Sequence, residues 1–319
     1  MQRTHIGSPS ASGKPLAATL ILGIAAWLGA PSMSAASAPG TLTTLPGPVG
    51  PAQFHTGSFA DITAATAILK VGANYGGKTS QGDPMVLAVS RKGTRVARIA
   101  IDIEAACTSG SSLSTGGVLT ANLRVSKTGR FKGTVLSSID GDTEVGAVTM
   151  DLKGKLGSSR GSGTAHVHIA FIDKQTNAPT DACDTGSLRW GAATAKGRVY
   201  GGSTSQQDPV VLELSRDRGR VSTLRIGWQA TCSPPGGIHV INALTRFPLT
   251  ASGAFGDTFS ITAPADGGGQ NKLDFVVHGR AGKTKAVGRI QIHVTSTDAT
   301  GATLRTCDSG LVSWRGASG

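Results

Sequence analysis

The sequence is short of aromatic rings, of acid groups and of long apolar runs. Aromatics make up 4% of the 319 residues, with only two tyrosines. So few rings work against a carbohydrate platform, which lays sugars on exposed aromatic faces. Acidic residues number 19 against 31 basic ones, a formal net charge of +12. That imbalance suits attraction to an anionic polymer, whether nucleic acid, wall polyphosphate or acidic polysaccharide. There are four cysteines, none in Cys-x-x-Cys or Cys-x-x-His spacing, which removes the usual zinc signatures. Beyond the first three dozen residues no apolar run is long enough to anchor the chain in a membrane, and no stretch carries a helical period. Glycine is plentiful, at 45 residues, but follows no short fixed period, which excludes collagen.

What is present begins with a leader. Arg3 and Lys14 precede the apolar run from Leu16 to Leu28, and small residues follow at Ser34-Ala35-Ala36. This is the pattern of a secretory signal peptide over 1–36, with cleavage after about residue 36. Residues 37–61 are rich in Pro, Gly, Thr and Ala around Leu45-Pro-Gly-Pro48, and are expected to form a disordered linker. Ile62 to Val71 is expected to add a lead-in strand.

The rest of the chain contains one unit twice. Tyr75-Gly-Gly-Lys-Thr-Ser-Gln-Gly-Asp-Pro84 returns as Tyr200-Gly-Gly-Ser-Thr-Ser-Gln-Gln-Asp-Pro209. The register then holds without a gap from Arg95–Cys107 to Arg220–Cys232, and both copies end alike, Cys183-Asp-Thr-Gly…Trp190 and Cys307-Asp-Ser-Gly…Trp314. A repeat of this length implies two domains, 62–192 and 198–317. Ile99, Ile101, Ile103, Ala105 and Cys107 alternate with Ala100, Asp102, Glu104 and Ala106, the period of a half-buried antiparallel strand. Similar runs, separated by Gly, Asp, Asn and Ser turns, predict about eight strands per copy in meander order. The fold class is therefore all-β, two tandem antiparallel domains, each a flattened barrel or sandwich.

Paired cysteines in an exported chain read as disulfides, Cys107–Cys183 and Cys232–Cys307. With eight strands in meander order each pair falls on strands that are not lateral neighbours, so each bridge is expected to cross a flattened barrel or join two sheets. The basic residues at Arg91-Lys92, Lys127…Arg130, Arg216…Arg218 and Lys283…Lys285 fall at expected hairpin tips. Solvation of those turns is preferred as their role over recognition of a polyanion.

Four sets of residues invite a chemical reading. Asp184-Thr-Gly186 and Asp308-Ser-Gly310 match the triplets of pepsin-like aspartic proteases, where two carboxylates share a proton. Their context differs, since only Leu311 to Gly319 follow the second triplet, and a turn with Asp capping backbone amides is preferred. His166 and His168 share a strand face as zinc ligands can, but no third ligand follows from the sequence and a solvent-facing pair is preferred. Asp102 and Glu104 also share a face, as in glycosidases; Gly227 and Gln229 replace them in copy two, and an exposed charged face is preferred. Thr79, Ser80, Gln81 and Asp83, with Thr204, Ser205, Gln206 and Asp208, are polar positions common to both copies. They are expected to close turns, or to face a polar ligand at a barrel mouth.

The pattern Tyr-Gly-Gly-x-Thr-Ser-Gln-x-Asp-Pro, then Cys, then Gly-x-Phe at Gly129/Phe131 and Gly253/Phe255, then Cys-Asp-Ser/Thr-Gly…Trp, resembles exported bacterial proteins of uncharacterised activity that carry a duplicated, disulfide-bonded β domain. The resemblance spans Tyr75 to Trp314. It implies export and a β domain, and brings no catalytic residue with it. On the sequence, the expected function is an exported, non-catalytic binding or envelope-associated structural protein, without cofactor or metal and with an anionic envelope polymer or polysaccharide as the candidate partner. The alternative is a secreted aspartic-type hydrolase using Asp184 and Asp308.

Overall fold

The computed structural model describes residues 72–141, 143–245, 247–265 and 268–319. The leader, the linker and the lead-in strand lie outside the described residues. Within them the chain is all β, nine strands per copy. Copy one comprises β1 (Asn74–Thr79), β2 (Pro84–Val89), β3 (Arg95–Cys107), β4 (Ser112–Arg124), β5 (Arg130–Asp140), β6 (Glu144–Leu156), β7 (Arg160–Asp173), β8 (Pro179–Asp184) and β9 (Leu188–Ala193). Copy two repeats the set as β10 (Val199–Thr204), β11 (Pro209–Leu214), β12 (Val221–Ser233), β13 (Gly236–Leu244), β14 (Ala254–Pro264), β15 (Gln270–Ala281), β16 (Lys285–Thr297), β17 (Thr303–Asp308) and β18 (Val312–Ala317).

In copy one the wall runs β4-β3-β2-β1-β9-β7-β6-β5, every described pairing antiparallel. An isolated bridge between Val125 and Phe131 joins its two ends. The alternation seen in the sequence sets the lining: Tyr75, Leu87, Ile99, Phe131, Met150, Val167 and Trp190 all point into one core. Copy two has the same order and its own core, built on Tyr200, Trp228, Phe275 and Trp314. Both terminal tryptophans are inward, Trp190 over Gly154, Gly161 and Gly163 and Trp314 over Gly288. A Cβ at Gly154 or at Gly288 would stand 2.3 Å from the ring of Trp190 or of Trp314.

The ninth strand corrects the expected bridge geometry. The segment read as one final strand breaks at Asp184–Gly186 into β8 and β9, and β8 crosses back to pair with both β3 and β7. Cys107 and Cys183 are therefore direct register partners on neighbouring strands, as are Cys232 and Cys307. Both disulfides are formed, with Cα atoms 3.9 Å apart. The pairs are the expected ones, but neither spans the barrel. Each staples the short closing strand to the long one beside it.

Inserting β8 leaves two gaps in strand pairing, and the repeated motifs fill them. On β3, pairing with β2 stops at Ile101 and pairing with β8 starts at Ala106. The Gln81 carboxamide acts there as a stand-in peptide: Nε2 donates to Glu104 O at 2.7 Å and Oε1 accepts from Glu104 N at 3.2 Å. Gln206 does the same for Gln229, at 2.8 and 2.9 Å. On β7, the gap between β9 and β8 falls at Val167. Thr185 fills it, its Oγ1 accepting from Val167 N at 2.9 Å and its own amide donating to Val167 O at 3.0 Å. Ser309 repeats this at Ile292.

Tyr-Gly-Gly has an equally local cause. The buried Tyr75 hydroxyl donates to Gly157 O at 2.6 Å, and Tyr200 donates to Gly282 O at 2.5 Å. The second glycine lets β1 lie close against β9, since a Cβ at Gly77 would fall 2.0 Å from Gly191 O. The first glycine faces the other copy. A Cβ at Gly76 would reach Gly201 Cα at 3.5 Å, and one at Gly201 would reach Gly76 Cα at 3.4 Å. The two copies thus meet through equivalent surfaces, as in an isologous dimer. Val86 and its counterpart Val211 pack with Ala100 and Val118 in a third apolar cluster, and Asn74 Nδ2 donates to Gly201 O at 2.7 Å.

Candidate functional site

The packing of the copies overturns the expectation that Asp102 stands on an exposed face. Alternation along β3 does turn Asp102 away from its own core, but that outer face is covered by copy two, and Asp102 is 0% exposed. Its carboxylate sits between two glycines. A Cβ at Gly116, its partner on β4, would lie 1.5 Å from Oδ1, and a Cβ at Gly227 would lie 2.1 Å from Oδ2. Gly227 is the repeat counterpart of Asp102, so one copy supplies the acid and the other the space.

Two more side chains reach this point from copy two. His239 on β13 places Nε2 3.3 Å from Asp208 Oδ1 and 3.5 Å from Asp102 Oδ1, while its Nδ1 lies 3.0 Å from Ser114 Oγ. Ser114 is the repeat counterpart of His239, so the two meet across the seam as equivalents. Asp208 is fully buried and accepts from Gln229 Nε2 at 3.3 Å on both oxygens. Asp83, its counterpart, is also buried. Neither Asp102 oxygen nor His239 Nε2 makes an aligned hydrogen bond.

Burial and mutual charge shift the protons of Asp102, Asp83 and His239. Burial pushes the Asp102 carboxyl up to about 8, opposed by the His239 imidazole and reinforced by Asp208 and Asp83. Burial raises Asp83 to about 7, with Glu104 adding to the shift and His239 opposing it. For His239 burial acts downward, but the Asp208 and Asp102 carboxylates outweigh it and raise the imidazole to about 10.

The eight polar positions common to both copies divide into two groups. Thr79, Gln81, Thr204 and Gln206 close their turns: the Thr79 and Thr204 hydroxyls accept from the Gln81 and Gln206 amides at 3.2 Å. Ser80 and Ser205 accept from the backbone of Arg189 and Ser313 at 3.2 Å. Asp83 and Asp208 go to the seam. Sequence reading therefore reached Asp208 within a larger set, set Asp102 aside and missed His239. The differences between copies carried a usable signal, since Asp against Gly and Ser against His fall on adjacent paired strands.

The remaining motifs stay within their own copies. Asp184 Oδ1 accepts from Gly186 N at 2.7 Å and Asp308 Oδ1 from Gly310 N at 2.6 Å, each glycine at φ 60°. These are the Asp-capped turns that separate β8 from β9 and β17 from β18. The structure also supplies the third group that the sequence could not name for His166 and His168. His166 Nε2 is 2.8 Å from Asp184, and His168 Nδ1 is 3.4 Å from it, all about half exposed. The Gly186 amide, then His166 and His168, hold the Asp184 carboxyl below the usual range.

A second feature lies on the wall of copy one that runs from β5 round to β1. Strand register sets Arg130, Lys155, Ser162, Gly191 and Lys78 in one outward row across β5, β6, β7, β9 and β1. The next row holds Lys132, Lys153, Thr164 and Arg189. All six basic side chains are exposed. With strands about 4.8 Å apart, the longer row runs about 19 Å, and the second lies about 6.7 Å beside it. Arg130 faces Lys155 and Lys132 faces Lys153 directly, an arrangement that costs stability. The same rows in copy two hold Ala254, Arg280, Val287, Arg315 and Ser203, then Gly256, His278, Arg289 and Ser313, so the band is denser in copy one, where six basic side chains stand against three arginines and a histidine.

Comparison with protein-family models, with curated proteins and with solved structures finds no match to this chain.

Proposed function

We propose that this chain is an exported, non-catalytic binding protein of the cell envelope, which holds a linear polyanion along the basic band of copy one. The band is the observation that carries the reading. Six exposed basic side chains gathered in two rows, on a wall made rigid by strand pairing, offer concentrated positive charge to a polymer such as polyphosphate or an acidic polysaccharide. Like charges facing each other across β5 and β6 bring the fold no stability, and an anion lying between them removes the repulsion. Of the residues expected at hairpin tips, Lys92, Lys127, Arg216, Arg218 and Lys283 are exposed at turns, whereas Arg130 and Lys285 open β5 and β16, Arg130 within the band.

Export is supported by the leader pattern and by two disulfides, which suit an oxidising compartment. Among the described residues no helix is long and apolar enough to cross a membrane. The aspartic-hydrolase alternative loses support, because Asp184 and Asp308 each cap a turn in their own copy instead of sharing a proton.

The test is equilibrium binding of the chain from residue 37 onward to polyphosphate and to an acidic polysaccharide such as alginate. Replacing Lys132 and Lys153 by Ser should weaken binding at least about tenfold at low salt, and affinity should fall steeply as salt rises. Replacing Arg216 and Arg218 by Ser should change it little. Equal losses from both pairs would mean diffuse charge attraction and would defeat the proposal. Preference for one polymer identifies the class.

A further inference from the structure

We infer that Asp102, Asp208 and His239 form a binding site for one divalent transition-metal ion, with the donor set of zinc, closed between the two copies. The three donor atoms all lie within 4.8 Å of one another. His239 Nε2 stands 3.3 and 3.5 Å from the two carboxylates, long for a charge-assisted hydrogen bond and not aligned for one. Zinc ligands about 2.0–2.2 Å from the ion at tetrahedral angles sit about 3.3–3.5 Å from each other, so these gaps are the edges of a coordination polyhedron.

At the centre Asp102 and His239 Nε2 face each other without an aligned hydrogen bond. Asp102 is 0% exposed with neither oxygen hydrogen-bonded, and His239, its side chain 8% exposed, has Nε2 free of any aligned partner. The next layer out is occupied in the way that metal sites require. Ser114 Oγ can accept from Nδ1 of His239, which turns Nε2 inward as a ligand, and Gln229 donates to Asp208. Outer partners of this kind orient ligands and tune them. The glycines at 116 and 227 leave the carboxylate its room. An ion entering here displaces the protons that the metal-free cluster holds, releasing them to solvent, and its 2+ charge balances the two carboxylates beside the imidazole it has made neutral. One imidazole and two carboxylates fit zinc better than calcium, which takes six to eight oxygens.

The exposed His166, His168 and Asp184 are the rival site. There His166 Nε2 already bonds the carboxylate at 2.8 Å, and all three side chains are open to water. The seam differs by drawing ligands from both copies, so an ion there would join them.

The experiment measures metal content by mass spectrometry on the protein as purified, then binding of Zn²⁺ alone by calorimetry and its effect on melting. One ion per chain is expected, with a rise in melting temperature on adding Zn²⁺ and no effect of Ca²⁺. His239→Ala and Asp102→Asn should abolish both responses, Ser114→Ala should weaken affinity about tenfold, and His166→Ala/His168→Ala should leave them intact. If the first two variants fail to fold, Ser114→Ala decides, and unchanged affinity there overturns the assignment. So would a wild-type protein that takes up no ion and does not respond to Zn²⁺. Uptake that survives His239→Ala but not His166→Ala/His168→Ala would move the ion to the exposed cluster and equally refute the seam site.

Discussion

Gly227→Ala tests the seam with a single methyl group. The added Cβ would stand 2.1 Å from Asp102 Oδ2, 2.9 Å from Cγ and 3.0 Å from Oδ1. The carboxylate cannot retreat, because Gly116 closes its other side so tightly that a Cβ there would lie 1.5 Å from Oδ1. Relief requires the two copies to part by about 1 Å, opening the cluster of Val86, Ala100, Val118 and Val211. Overpacking of this kind costs about 1–3 kcal/mol. A loss of about 2 kcal/mol should lower the melting temperature by about 4–8 °C for a unit of this size. The matched control is Gly191→Ala in β9, where a Cβ meets nothing within 4 Å. Calorimetry on both variants decides: if Gly227→Ala melts with Gly191→Ala and wild type, the carboxylate is not confined between the two copies.

Three further outcomes follow from the geometry. Replacing Cys107 and Cys183 by Ser releases a loop with a sequence separation of 76, and should cost about 4–5 kcal/mol in denaturant unfolding. Gln206→Leu removes the two bonds that fill the β12 gap at Gln229, for a loss of about 1–3 kcal/mol, while Gln206→Glu should recover only the part in which the side chain accepts. In metal-free protein His239, raised to about 10, contributes stability that is full below about pH 6.5 and is lost as pH rises through about 10. Asp83, raised to about 7, likewise contributes most in acid and loses its part as pH passes about 7. A pH series of melting temperatures should therefore decline toward alkali, and His239→Gln should flatten its upper half.

The fold was largely legible because strict alternation on β3 and its copy fixes an inside and an outside. Alternation does not say what covers the outside. Asp102, a charged residue on a polar stripe, looked solvated until the other copy was placed against it. The Asp-capped turn at Asp184–Gly186 is legible, but not that it parts two strands with different neighbours, since Cys183 to Ala192 reads as one strand. Thr-Ser-Gln and Asp-Thr-Gly were read as turn residues, and the structure gives that reading its cause: their side chains replace missing strand neighbours. The basic band stayed invisible for a different reason. Arg130, Lys132, Lys153, Lys155, Arg189 and Lys78 come from four separate segments, and only strand register brings them into two rows.

Amide chemical-shift mapping during titration with polyphosphate tests the central claim most directly. Shifts should concentrate on the outward residues of β5, β6, β7, β9 and β1, around Lys132, Lys153 and Lys78, and disappear in the Lys132→Ser/Lys153→Ser protein. Shifts spread over the hairpin tips of both copies, or centred on copy two, would contradict it.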